Sequence, residues 1–404
     1  MSDNIRPKLR SLDMRPVQTE QGPGLMLQDP LRLADRVMVI TPRAAHILSF
    51  CDGERDLNQI RSAIMIRSGI TYPLRDLSEL VSSLDDALLL ENDRSADAIQ
   101  RALAAYQNAE YRLPVTAMPP SDGSAEEMHH YLDQFQDNAE GVDAGHLYKA
   151  LVSPHIDYER GGSVYSQVFR PAQAALKQTE LVIILGTDHN GSNGSVTLTR
   201  QHYATPFGVL ETDIDAINRL AEQMGEEAVF AEEINHATEH SIELASIWLH
   251  YLTAPSPPMI VPILLGTYQD YFDSDGLPEE QENVMRGLQA VKDLIREREV
   301  MVVAAGDLAH LGPAFAGPPL DWAGKARMES ADQELVEALC ENDAGRLYQT
   351  VKSEGGQRGV CGLPPFYWLM RLFPDVTGVR AGYERCSADE AGTSWVSICG
   401  VLYR

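Results

Sequence analysis

The chain has 404 residues, and 33 basic against 59 acidic side chains give it a formal net charge of −26. A field of that sign repels phosphate backbones and anionic lipid surfaces, which excludes nucleic acid and membrane as principal partners. With 44% hydrophobic and 23% charged residues, global disorder is excluded, and the length predicts two domains or one large domain with an appendage.

No apolar run approaches the roughly 18 residues that a membrane span needs. The opening MSDNIRPKLR has no apolar segment behind it, so a cytoplasmic protein without a secretory signal is expected. Cys51, Cys340, Cys361, Cys386 and Cys399 lack CxxC spacing, which argues against a disulfide framework or a zinc ribbon.

Residues 1–28, rich in Pro, Gly, Gln and charge, read as a loosely ordered leader. A short strand or hairpin is predicted over 29–40. Helices then open at Thr41-Pro42, follow the helical spacing of Leu57, Ile60, Ile64 and Ile66, and run from Leu74 through Leu84. The result is a small, mostly helical, winged-helix-sized domain over 29–105. Break signals at Leu113-Pro114 and across 118–123 place the boundary near residue 106.

In the large domain, 106–404, apolar runs at 148–152, 181–185, 259–265 and 300–305 alternate with helical patterns at 211–224, 238–252 and 280–296. Buried strands alternating with helices predict an α/β sheet. Alternating patterns at 379–383 and 394–403 add a C-terminal hairpin, which makes the sheet mixed.

Three of the four runs end in a histidine and a carboxylate: His155 and Asp157 after the first, Asp188 and His189 after the second, Asp307 and His310 after the fourth. Ligands of open α/β sheets bind at the strand carboxyl ends, so these segments are expected to converge on one pocket with the donor types of a metal site. Each histidine, taken alone, also reads as a strand cap. His236-Ala-Thr-Glu239-His240 matches the HxxEH zinc-protease pattern, but Thr238 is a plausible N-cap that leaves His236 outside the helix. His240 and Glu243 then share a helical face that reaches into the pocket. Cys361, at the turn into an apolar helix, reads either as an anionic ligand or as a core cysteine. His129, His130, His202 and His250 read as surface or core residues.

The ordered set Ser153-Pro154-His155-x-x-Tyr158, Gly186-x-x-His189, Thr205-Pro206, Glu239-His240-Ser241-Ile242-Glu243, Asp307-x-x-His310 and Cys361-Gly362 resembles the Memo family over about residues 110–404. The resemblance implies a fold similar to class III extradiol dioxygenases. It implies His155, His189 and Cys361 as metal ligands, with Asp307 and His310 beside them and His240 as a further pocket residue, the last three carrying the catalytic roles. It also implies iron or copper as the cofactor. The family's Ala-Pro-His-Ala-Gly-Tyr is here Ser-Pro-His155-Ile-Asp157-Tyr, and Asn190 stands where a second histidine is common. Extra carboxylates at Asp157 and Asp188 would favour iron or zinc over copper.

The segment from Leu48 through Asp52-Gly53-Glu54 to Ile60, with Leu84 to Leu90, resembles the PqqD-like winged-helix domains that hold precursor peptides. Bacterial and archaeal Memo proteins are similar to a component of a system containing a radical-SAM enzyme, so such an enzyme and a peptide substrate are the expected partners. Two functions follow. One is a metal-dependent redox enzyme that modifies a peptide or small molecule. The other is a non-catalytic adaptor whose pocket and N-terminal domain bind a peptide or partner protein.

Overall fold

A computed structural model of the chain describes residues 5–20, 22–34, 36–116, 124–135 and 146–404. The proline-rich break expected at 118–123 lies outside them. The chain divides into two units, Met1–Asn108 and Ala109–Arg404.

In the first unit β1 (Asp13–Thr19), β2 (Gly22–Gln28) and β3 (Met38–Ile40) form an antiparallel sheet in that order, followed by α1 (Pro42–Leu48), α2 (Leu57–Ser68), α3 (Leu74–Asp86) and α4 (Asp93–Asn108). Within the expected leader, residues 13–19 and 22–28 therefore pair as antiparallel strands, with Asp13 opposite Gln28 and Thr19 opposite Gly22. Its prolines are placed where a sheet tolerates them. Pro16 lies on the edge strand β1, and Pro23 lies beyond the end of β3, whose pairing with β2 spans only Leu25 to Leu27. Leu27 is fully buried in this unit's core with Ile60, Leu77 and Leu84. Within 29–40 only the last three residues form a strand among those described. Asp29 instead pairs with Arg10 and accepts the N–H groups of Leu31 and Leu33.

Helix starts follow local chemistry. Thr41 caps α1 through Ala44 N–H, and Asp56 and Gln59 form a reciprocal capping box on α2.

The second unit begins with α5 (Ala125–Asp133), β4 (Ala150–Ser153), α6 (Tyr158–Gln178), β5 (Leu181–Thr187) and the short strands β6 (Val196–Leu198), β7 (Tyr203–Thr205) and β8 (Gly208–Leu210). It continues with α7 (Ile214–Met224), α8 (Glu226–Phe230), α9 (Ser241–Thr253), β9 (Met259–Leu265), α10 (Glu282–Glu297), β10 (Val300–Ala305) and β11 (His310–Leu311). It closes with α11 (Trp322–Glu341), α12 (Ala344–Ser353), α13 (Leu363–Leu372), β12 (Gly378–Ser387) and β13 (Trp395–Tyr403).

The sheet runs β11-β13-β4-β10-β5-β9-β6, with β12 paired to β13. The central strands β4, β10, β5 and β9 are parallel, whereas β6 and β13 run antiparallel to their neighbours, so the sheet is mixed. Residues of β4, β5 and β10 are buried almost throughout, as expected for strands covered on both faces. One face packs on α7, α10, α11, α12 and α13, the other on α5, α6 and α9. No helix among the described residues is long and apolar enough to cross a membrane.

Candidate metal centre

The parallel register places three strand ends level with one another. Ala305 of β10 stands opposite Ser153 of β4 and opposite Gly186 of β5. His155 and Asp307 each follow two residues past that level, and His189 three residues past it, so separate segments deliver them to one crevice. The start of α9 reaches the same place because Gly186 has no side chain: a Cβ there would lie 2.6 Å from both Ile242 and Ser241. The Cys361 segment closes in through a pair of glycines, since a Cβ on Gly306 would sit 2.3 Å from the Gly362 Cα.

Two groups of donor atoms result, and they share His155. One is His155, His189 and His240; the other is His155, Asp307 and Cys361; within each group one ligand atom per residue lies within 4.8 Å of the others. The three imidazole centroids are 5.0 to 5.1 Å apart. Cys361 Sγ is 3.2 Å from His155 Nε2, and Asp307 Oδ2 is 3.7 Å from the same nitrogen. The His155 side chain is 1% exposed, whereas those of His189 and His240 are 36% and 35% exposed. Solvent and small molecules therefore reach the centre from the side of the latter two rings.

Each ring is held by its Nδ1. That of His155 lies 3.3 Å from the Ala305 carbonyl, that of His189 3.0 Å from Glu239 Oε2, and that of His240 3.0 Å from Glu239 Oε1. Carbonyls and carboxylates only accept, so all three Nδ1 atoms carry a proton, and Nε2 is the atom each ring offers a ligand once any proton on it is displaced. Glu239 also takes the backbone N–H groups of His189, His240 and Ser241. Imidazoles oriented by outer acceptors beside a thiol form a donor set that fits an iron, copper or zinc ion.

Charges follow burial and neighbours. Burial, then the two neighbouring histidines, drives the His155 pKa far below the ordinary range. Burial also disfavours charge on His189, but Glu239 and Cys361 override it and raise that pKa. Burial opposes the Glu239 carboxylate, yet His189 and His240 hold its pKa well below the usual range. Burial pushes the Cys361 thiol up, and His189 pulls against it. Asp307 is raised to about 6 by burial, opposed by the His155 N–H that it accepts.

Of the expected ligands, His155 falls in both groups, His189 in the first and Cys361 in the second, and neither group holds all three. His240, expected as a pocket residue, joins the histidine group directly. Asp307 lies in the second group, and His310 stands outside both. The His310 Nδ1 donates to the carbonyls of Gly359 (2.9 Å) and Leu308 (3.2 Å), and burial lowers its pKa to about 4.

Other expectations are corrected. Thr238 does not cap α9; it follows a 3-10 turn, Glu233–Ala237, and His240 is the residue before the helix. His236 lies in that turn with its ring between the Tyr203 hydroxyl (2.8 Å) and the Thr197 carbonyl (3.1 Å), so the HxxEH pair of ligands does not form. Glu243 belongs to neither donor group and pairs with Arg112 instead. Asp157 caps α6 and binds Arg160, and Asp188 holds Asn235, so neither adds an oxygen donor to the two groups. Glu239 is the functional residue that the sequence reading passed over. Its signal in the sequence is its place immediately before His240.

The family model described as Memo-like protein matches residues 121–387. A MEMO1 family protein of Aquifex aeolicus is 23% identical over 409 residues, covering 99% of this chain and 100% of that protein. A MEMO1 family protein of Thermus thermophilus is 25% identical over 72% of this chain and 82% of its own length, and one of Methanosarcina barkeri is 26% identical over 57% and 75%.

Proposed function

The chain belongs to the Memo-like protein family, and from that premise we propose that it is a metal-dependent redox protein with iron or copper held by His155, His189 and Cys361 and flanked by His240. The observation that carries this reading is the common anchoring of all three Nδ1 atoms, which leaves Nε2 as the ligand atom of each ring, that of His155 lying 3.2 Å from the Cys361 thiol. When bound, the ion supplies Lewis-acid polarisation or one-electron exchange.

The surrounding residues do the rest. Glu239 holds Nδ1 of both His189 and His240 and so fixes the orientation of the two rings. Asp307 fixes the His155 backbone and adds a carboxylate that can take or give a proton near pH 6. His310, its Nδ1–H committed to carbonyls, offers Nε2 as a proton acceptor. The half-open rings of His189 and His240 give a small substrate its approach.

The partnership with a radical-SAM enzyme, and a peptide held by the PqqD-like first unit, belong to this proposal through resemblance. The alignment of the Aquifex aeolicus relative over both units supports assigning them a joint role.

Metal analysis of chelator-free protein, followed by oxygen uptake with catechols as substrates, tests the redox reading. Stoichiometric metal that is lost in His155→Ala is expected. Absence of metal from both proteins would leave the adaptor alternative, for which removal of residues 1–108 should abolish partner binding.

A further inference from the structure

Arg112 is buried in the second unit, 127 residues away in sequence from Glu239. Its guanidinium points three ways. Nε donates to the His236 carbonyl at 2.5 Å, Nη2 to the Glu239 carbonyl at 2.7 Å, and Nη1 to Glu243 Oε2 at 2.6 Å. Its backbone is pinned on both sides, N–H to the His202 carbonyl and C=O to the Ala204 N–H, each at 2.8 Å. Glu243 in turn accepts the N–H groups of Val115 and Thr116, both at 2.8 Å. Residues 112–116 thus clamp the segment that enters α9.

A charge pair exposed by only 1% on each side costs desolvation that a nonpolar contact would avoid, and this planar fork of donors cannot be reproduced by lysine. Two of its bonds go to the carbonyls that flank the turn from which Glu239 and His240 project. We propose that Arg112 is a positioning residue for the metal centre: by fixing the carbonyls of His236 and Glu239 it aims the Glu239 carboxylate at both His189 and His240. The proposal rests on reading the histidine group as a metal centre, but its geometric content concerns the rings alone.

The test uses full-length protein, uniformly labelled at its 11 histidines with nitrogen-15, in two variants. Arg112→Met removes the clamp. Arg112→Met/Glu243→Gln removes it without leaving a buried unpaired carboxylate. In metal-free wild type, His189 and His240 should each show a protected Nδ1–H signal, assigned by loss in His189→Gln and His240→Gln. In both Arg112 variants those two signals should disappear while His236 keeps its own. Binding of cobalt(II), followed by its visible spectrum, should weaken roughly 10-fold or more.

Retention of both Nδ1–H signals overturns the proposal, whether or not cobalt binding changes. Loss of cooperative unfolding in both variants overturns it too, because Arg112 would then serve folding alone. If wild type takes up no cobalt yet the Nδ1–H signals vanish in the variants, the positioning role stands and the metal reading fails.

Discussion

Asp307 grips His155 from two directions: Oδ1 accepts its backbone N–H at 2.8 Å, and Oδ2 lies 3.7 Å from Nε2 of its ring. One carboxylate thus fixes where the histidine sits and shapes the charge at its ligand atom.

Asp307→Asn should separate these roles. The amide oxygen still accepts the His155 N–H, so the melting temperature should stay near that of wild type. Metal affinity should fall about 10-fold, as is usual for a lost partner of a ligand. Asp307→Ala leaves that buried N–H unpaired and should cost about 1–3 kcal/mol in urea unfolding. Equal stability for the two variants would refute the division.

Metal uptake should release protons. The pKa values of His189 and Cys361 are both raised, the first chiefly by Glu239 against burial and the second by burial. Both groups therefore carry protons in the metal-free protein, and an ion must displace them. Affinity should rise with pH, and calorimetric titration in buffers of different ionisation enthalpy should find about two protons released per ion. Cys361→Ser should release one fewer and lose the sulfur-to-metal charge-transfer band of the cobalt form. Zero release would contradict the ligand assignment.

Acid should destabilise the metal-free protein from well above the carboxylate range. Burial lowers His236 to about 3, and His250 and His310 to about 4. Because the unfolded chain binds these protons at the ordinary value of 6.5, the contribution of these three neutral rings is complete above that pH and is lost progressively as pH drops toward 3. Thermal melts between pH 8 and pH 4 should show the slope. His236→Gln should flatten part of it, and an unchanged profile in that variant would argue against a neutral buried ring.

His250 supplies the control. Its Nδ1 lies 2.7 Å from the Thr205 hydroxyl, and it belongs to neither donor group. His250→Gln should leave cobalt binding within about twofold of wild type, whereas His240→Gln should weaken it roughly 10-fold or more. Similar losses in the two would mean that the histidine group carries no special affinity.

Much of the α/β unit is legible in the sequence because parallel strands buried on both faces are written as unbroken apolar runs; β9 and β10 match theirs to the residue. The strand-end histidines are legible for the same reason, since a buried run stops where the chain meets the crevice. What escapes is interaction across distance. Glu243 carries no mark of its pairing with Arg112, 131 residues away. Helix α6 is obscured by Gly161, Gly162 and Pro171, which pack inside it. The first hairpin is obscured by prolines that only the finished sheet shows to be harmless.

His155 belongs to both donor groups, yet its Nδ1 is spent on the Ala305 carbonyl and only Nε2 has a lone pair to give. The two triads therefore compete for one electron pair. They describe a single coordination sphere with alternative partners, so saturating the protein should end at one ion per chain, and a plateau at two would require a ring flip that breaks the Ala305 contact.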